Sequence, residues 1–204
     1  MEKVELLPLF PSAFIYCDTR PWFDEIEEDF IEYCYELKEN TPKSKSLHRS
    51  NRQNSWHSPD DLLRRDEFKP YKDFLIKCIS TCFNSCGENI HYRLGNAWIM
   101  INSKNGYNTK HVHGGCDLSG VLWIKSKKNQ GNLIFESHNT YTEHALLENL
   151  SLKIKDDCKM NDSYTFKPIS GRMLLFPSHC YHHVDINKTR EDRIALSFNL
   201  HITS

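Results

Sequence analysis

The 204-residue chain lacks any apolar run of the roughly 18 residues that a membrane span requires. Its opening, MEKVELLPLFPS, has neither the basic start nor the long apolar middle and small-residue cleavage site of a secretory leader. A cytoplasmic protein without a membrane partner is therefore expected. Net charge is missing too. Twenty-six basic against 27 acidic residues leave −1, a field too weak to make nucleic acid the expected partner. The one basic run, KSKSLHRSNR at residues 43–52, reads as a solvated loop. Eight cysteines include no C-x-x-C pair, so a zinc ribbon is not indicated, and without a leader a disulfide framework is not expected. Cys78, Cys82 and Cys86 recur every four residues along one helix face and read as small buried hydrophobes. Internal repeats and low-complexity tracts are absent from the sequence as well.

What is present is an ordinary globular composition, 39% hydrophobic and 26% charged, long enough for one real core. A single domain spanning 1–204 is expected, with a helical layer over about 1–88 and a β-rich body over about 89–204. In PWFDEIEEDFIEYCYELKEN, residues Phe23, Ile26, Phe30, Cys34 and Leu37 recur at helical spacing. The stretch KPYKDFLIKCISTCFNSCG predicts a second helix, with Phe74, Leu75, Cys78, Ile79, Cys82 and Phe83 on one face and Gly87 as its stop. From about His91 the pattern changes to short β-branched and aromatic segments: YRLGNAWIMIN, LSGVLWIK, LIFES, YTFKPIS, GRMLLFP and RIALSFNLHIT. Asn105-Gly106 and Gln130-Gly131-Asn132 read as hairpin corners, and Trp98 and Trp123, inside strands, as core. The class expected is mainly β with helices flanking one face, a double-layered barrel or sandwich.

The chemistry concentrates in two stretches, KHVHGGC (Lys110 to Cys116) and FPSHCYHHV (Phe176 to Val184). On a strand, residues i and i+2 share a face, so His111 and His113 can converge on one ion. A third ligand must come from His179, His182 or His183, and parity admits at most one of the last two. The strand RIALSFN places Arg193, Ala195, Ser197 and Asn199 on one face. An arginine turned inward is costly unless an anion meets it, so a metal and an arginine facing one cavity suit a chelating dicarboxylate.

Together, AWIMINSKNGYNTKHVHGGCDLSGVLWI, GNLIFE and GRMLLFPSHCYHHVDINKTREDRIALSFN resemble the 2-oxoglutarate and iron(II)-dependent oxygenases of bacteria and phages, relatives of the prolyl hydroxylases. LLPLFPSAF and SNRQNSWHSPDDL also resemble that group's opening segments, so the resemblance spans nearly the whole chain. It implies a double-stranded β-helix (jelly-roll, cupin-like) core with the N-terminal helices packed on one face. It implies Fe(II) held by His111, His113 and His182, and 2-oxoglutarate clamped by Arg193 with help from Ser197, Asn108 and Tyr107 beside it. The reaction implied uses O₂, releases succinate and CO₂, and hydroxylates a C–H bond of a protein or peptide side chain or of a small metabolite. Two departures stand out. Histidine 113 occupies a place where most relatives have a carboxylate, and Ala195 replaces a hydroxyl residue. Asp117 is the alternative second ligand if Gly114-Gly115 turns sharply, and His183 or His179 the alternative distal one. Trp56 and His57 would touch substrate if the loop from Lys43 to Asp60 covers the barrel mouth. The rival functions are a non-catalytic metal-binding β-barrel module and a three-histidine zinc hydrolase.

Overall fold

The computed structural model describes residues 12–42, 53–87, 90–138, 149–157 and 161–203. The basic run at 43–52 lies outside these, and with it most of the loop proposed to cover the barrel mouth.

The N-terminal helical pattern divides into two pieces. A short helix α1 (Arg20–Phe23) carries proline in its first turn, and α2 (Glu27–Asn40) begins with Glu27, Glu28 and Asp29, whose charges complement the positive helix end. Phe30, Cys34 and Leu37 form the buried face of α2. Helix α3 (Lys69–Ser85) buries the six residues its spacing predicts, together with Tyr71. Gly87 follows at φ +77°, the left-handed backbone that ends helices. Cys86 is exposed, unlike Cys78 and Cys82, because it lies beyond the packed face. A fourth helix, α4 (Leu152–Asp157), is short and buries no side chain. No helix among the described residues is long and apolar enough to cross a membrane.

Among the described residues, ten strands form two antiparallel sheets. They are β1 (Ile15–Asp18), β2 (Ser55–His57), β3 (Tyr92–Asn102), β4 (Asn108–His111), β5 (Leu118–Lys125), β6 (Leu133–Glu136), β7 (Ser163–Phe166), β8 (Arg172–Pro177), β9 (His182–Val184) and β10 (Arg193–Ile202). The larger sheet runs β1-β8-β5-β10-β3-β2 and the smaller β4-β9-β6-β7. Helices and sheet share one apolar cluster: Phe30, Phe68, Leu75 and Ile79 pack with Ile99, Ile101, Leu122, Leu196 and Phe198. Stacked Phe30 and Tyr71 rings, 4.0 Å apart, tie α2 to α3. The other face of the large sheet supplies Val121, Trp123, Leu174, Phe176 and Ala195, which meet Leu133, Phe135 and Val184 of the small sheet. Central strands buried on both faces read as continuous apolar runs, and so these do.

The turn signals at Asn105 and at residues 130–132 are real, with φ of +66° at Asn105 and +93° at Gly131. Neither closes a hairpin. Strands β3 and β4 lie in different sheets, as do β5 and β6, so these corners carry the chain from one layer to the other. A side chain at position 131 would meet the Asp185 carbonyl oxygen at 2.2 Å, which restricts that corner to glycine.

Candidate metal centre

His111 ends β4 and pairs directly with His182 at the start of β9. Their rings stand 4.3 Å apart between centroids. His113 lies two residues past the end of β4, and its ring stacks 5.3 Å from that of His111. Its backbone N–H donates to the Ser178 carbonyl at 3.0 Å, which holds this segment against the end of β8. One ligand atom from each of His111, His113 and His182 lies within 4.8 Å of the others.

Hydrogen bonds settle the tautomers. His111 Nδ1 lies 2.7 Å from the Thr109 carbonyl and His182 Nδ1 lies 2.9 Å from the Cys180 carbonyl. A carbonyl can only accept, so each Nδ1 carries the proton and the lone pair sits on Nε2. His113 Nδ1 is 2.8 Å from both Asn199 Oδ1 and Ser119 Oγ. The Ser119 hydroxyl spends its proton on the same Asn199 oxygen, at 2.8 Å. Asn199 Nδ2 donates to Asn96 Oδ1 at 2.8 Å, which orients the amide. His113 is therefore an Nδ1–H donor like the other two. Such oriented imidazoles suit iron, zinc, copper or nickel.

The three histidines line a small cavity of about 60 Å³. Trp98, Met100, Arg193, Ala195 and Ser197 from the large sheet line it, with Asn108, Leu133 and Val184 from the small one. Arg193 is 3% exposed. Its Nε has no hydrogen-bond partner among the described residues, and burial pulls its pKa down to about 10. A buried guanidinium in this condition calls for an anion. Three imidazole donors and an orphaned guanidinium in one cavity fit a divalent metal and a dicarboxylate.

Asn108 reaches the cavity while its Oδ1 accepts from Asn102 Nδ2 at 2.9 Å. Tyr107 is half-buried and is not among the lining residues. Trp56 packs into the helix-side core, on the strand face away from the cavity. His57 stacks at 5.6 Å on Trp98, a cavity wall, so it stands behind the site. Trp98 itself is not core, because its strand face turns inward toward His113, 5.4 Å away. Asp117 caps the end of β10 by accepting from the Ile202 amide at 2.9 Å. His183 faces Glu136 and Asp185 on the far side of β9, and His179 falls in a separate group. Sequence reasoning gave Ser119 and Asn96 no role. Only the parity of Asn199 with Arg193 and Ser197 hinted at an inward amide.

The family model described as "Putative 2OG-Fe(II) oxygenase" matches residues 96–199, just over half of the chain. The chain belongs to this family. It is an oxidoreductase dependent on Fe(II) and 2-oxoglutarate, with 2-oxoglutarate and O₂ as co-substrates. No curated protein matches it. Solved structures share the fold at low identity. HygX from Streptomyces hygroscopicus, with nickel and 2-oxoglutarate bound, is 15% identical with a TM-score of 0.59, over 94% of this chain and 84% of that one. A Trichoplax adhaerens prolyl hydroxylase in complex with a hypoxia inducible factor peptide is 13% identical at 0.61, over 94% and 83%. A Pseudomonas putida prolyl-4-hydroxylase is 10% identical at 0.55, over 95% and 94%.

Proposed function

We propose that this oxygenase hydroxylates a C–H bond of a protein or peptide side chain or of a small metabolite, using a three-histidine metal face. In this reading His111, His113 and His182 hold Fe(II) through Nε2, and the two sheets are the halves of a double-stranded β-helix within one domain spanning 1–204. The observation that carries it is the buried, unmet Nε of Arg193 in the same cavity as the three convergent imidazoles. When bound, the iron supplies the redox chemistry that couples decarboxylation of 2-oxoglutarate to insertion of oxygen. The protein's part is binding and orientation. Arg193 clamps the far carboxylate of 2-oxoglutarate, with Ser197 beside it on the same strand face. Asn108 offers an amide at the cavity wall, held in place by Asn102. Thr109, Cys180 and Asn199 accept from the three Nδ1–H groups and keep each Nε2 aimed at the metal position. Trp98, Val121, Leu133 and Phe176 keep the cavity walls apolar, which strengthens every charge interaction inside it.

Anaerobic titration of the metal-free protein with Fe(II) and then 2-oxoglutarate, followed in the visible, tests this. A charge-transfer band that requires both additions is expected, and its loss in His182→Ala. A protein that binds one iron per chain yet shows no such band would refute bidentate keto-acid binding.

A further inference from the structure

The turn joining β8 to β9 carries a second group of metal-ligating side chains. His179 and Cys180 lie in that turn, and His138 lies just beyond the end of β6. One ligand atom from each of the three lies within 4.8 Å of the others, and the two imidazole rings are 5.2 Å apart between centroids. The backbone holds the group together. Phe135 of β6 pairs with His182 of β9, and the Glu136 N–H donates to the Tyr181 carbonyl at 3.0 Å. His138 is thereby kept beside the turn. Both histidines are exposed, and Cys180 is 2% exposed. An ion here would be covered by imidazoles from the solvent side and by sulfur from within.

We propose that His138, His179 and Cys180 form a second metal site, for a borderline-to-soft cation of the zinc class. One thiolate and two imidazoles are a donor set that zinc takes with water in the fourth position, whereas magnesium and calcium demand oxygen. The three-histidine face contains no sulfur, so donor type sorts different metals to the two sites. The sites share the β8–β9 turn. Its Cys180 carbonyl accepts from His182 Nδ1 at 2.9 Å, and its Ser178 carbonyl accepts from the His113 N–H at 3.0 Å. An ion tying His179 and Cys180 to His138 stiffens the segment that anchors two of the three histidines. Metal retention at the first site rises accordingly.

The test is anaerobic titration of the full-length, metal-free protein with Co(II). A thiolate-to-cobalt charge-transfer band in the near ultraviolet reports sulfur ligation, which the three-histidine face cannot give. The band is expected to saturate by two equivalents per chain, to persist in His111→Ala, and to vanish in His138→Ala and His179→Ala. Both of the last two residues are exposed, so circular dichroism should show an unchanged fold. Absence of a thiolate band at two equivalents, or a band that survives both substitutions, overturns the site. The keto-acid band of the iron-loaded protein reports the first site alone, so the two readings fail separately. Chelator-driven loss of Fe(II) from the zinc-supplemented protein should be roughly fivefold faster in His138→Ala, and an unchanged rate would overturn the coupling.

Discussion

Arg193→Met separates the stability of this protein from its function. Methionine approximates the length of the arginine stem and removes the charge. Burial lowers the Arg193 pKa from the ordinary guanidinium value to about 10. At about 1.4 kcal/mol per tenfold change in proton affinity, the uncompensated guanidinium costs about 3 kcal/mol. The sign follows from linkage. The folded state holds this proton less tightly than the unfolded state, so stability rises only between about pH 10 and the ordinary guanidinium value above it. At neutral pH the whole penalty is present. Replacing buried charge with an apolar side chain of similar volume therefore stabilises the ligand-free protein by about 1–3 kcal/mol, a gain of roughly 2–10 °C in Tm for a chain of this size. If Arg193 clamps 2-oxoglutarate as proposed, the same substitution removes charge-assisted hydrogen bonds worth about 1.5–3 kcal/mol each, and 2-oxoglutarate binding should weaken by roughly 100-fold or more. Scanning calorimetry without ligand and isothermal titration with 2-oxoglutarate measure both effects. A variant less stable than the parent, or one that binds 2-oxoglutarate equally well, would refute the reasoning.

Asn199→Ala removes an acceptor from His113 Nδ1 and should lower Fe(II) affinity by roughly 10–100-fold. Asn199→Asp restores the acceptor and should recover most of that loss, as read by competition with a chromogenic chelator. Gly120→Ala would place a methyl 2.2 Å from the Phe198 ring. It should destabilise the protein by about 1–3 kcal/mol in urea unfolding, because Phe198 is fully buried between sheet and helices.

Residues with a strong period were legible in the sequence. The alternation of RIALSFN puts Arg193, Ala195 and Ser197 on the cavity, and the 3.6-residue spacing of α3 selects its buried face. Strands β1, β2, β4 and β9 are three or four residues long. They owe their form to ladders with partners remote in sequence, a tertiary effect that local propensity does not carry. Trp98 shows a related limit. On a strand buried on both faces, composition does not say which face holds the cavity and which the core. The histidine pair 111 and 113 was legible as a pair, but the contacts that hold its second member were not. His113 is held by Ser178 and Asn199, 65 and 86 residues away.

In the proposed metal face, His113 in place of a carboxylate changes the charge logic of the cavity. Among the described residues no carboxylate joins the three histidines, and the nearest candidate in sequence, Asp117, is tied to the Ile202 amide. Neutral imidazoles leave both charges of a divalent metal uncompensated, and Arg193 adds a third positive charge to the same cavity. In a low-dielectric site such charges are costly until anions arrive. A dicarboxylate supplies two negative charges, one for the guanidinium and one for the metal. Metal and 2-oxoglutarate therefore stabilise each other's binding, and by linkage each raises the other's affinity by the same factor. In a site with a carboxylate ligand, part of that compensation would already belong to the protein. In the proposed site the cosubstrate would provide it, and the amide network around His113 would orient a neutral ligand rather than balance charge.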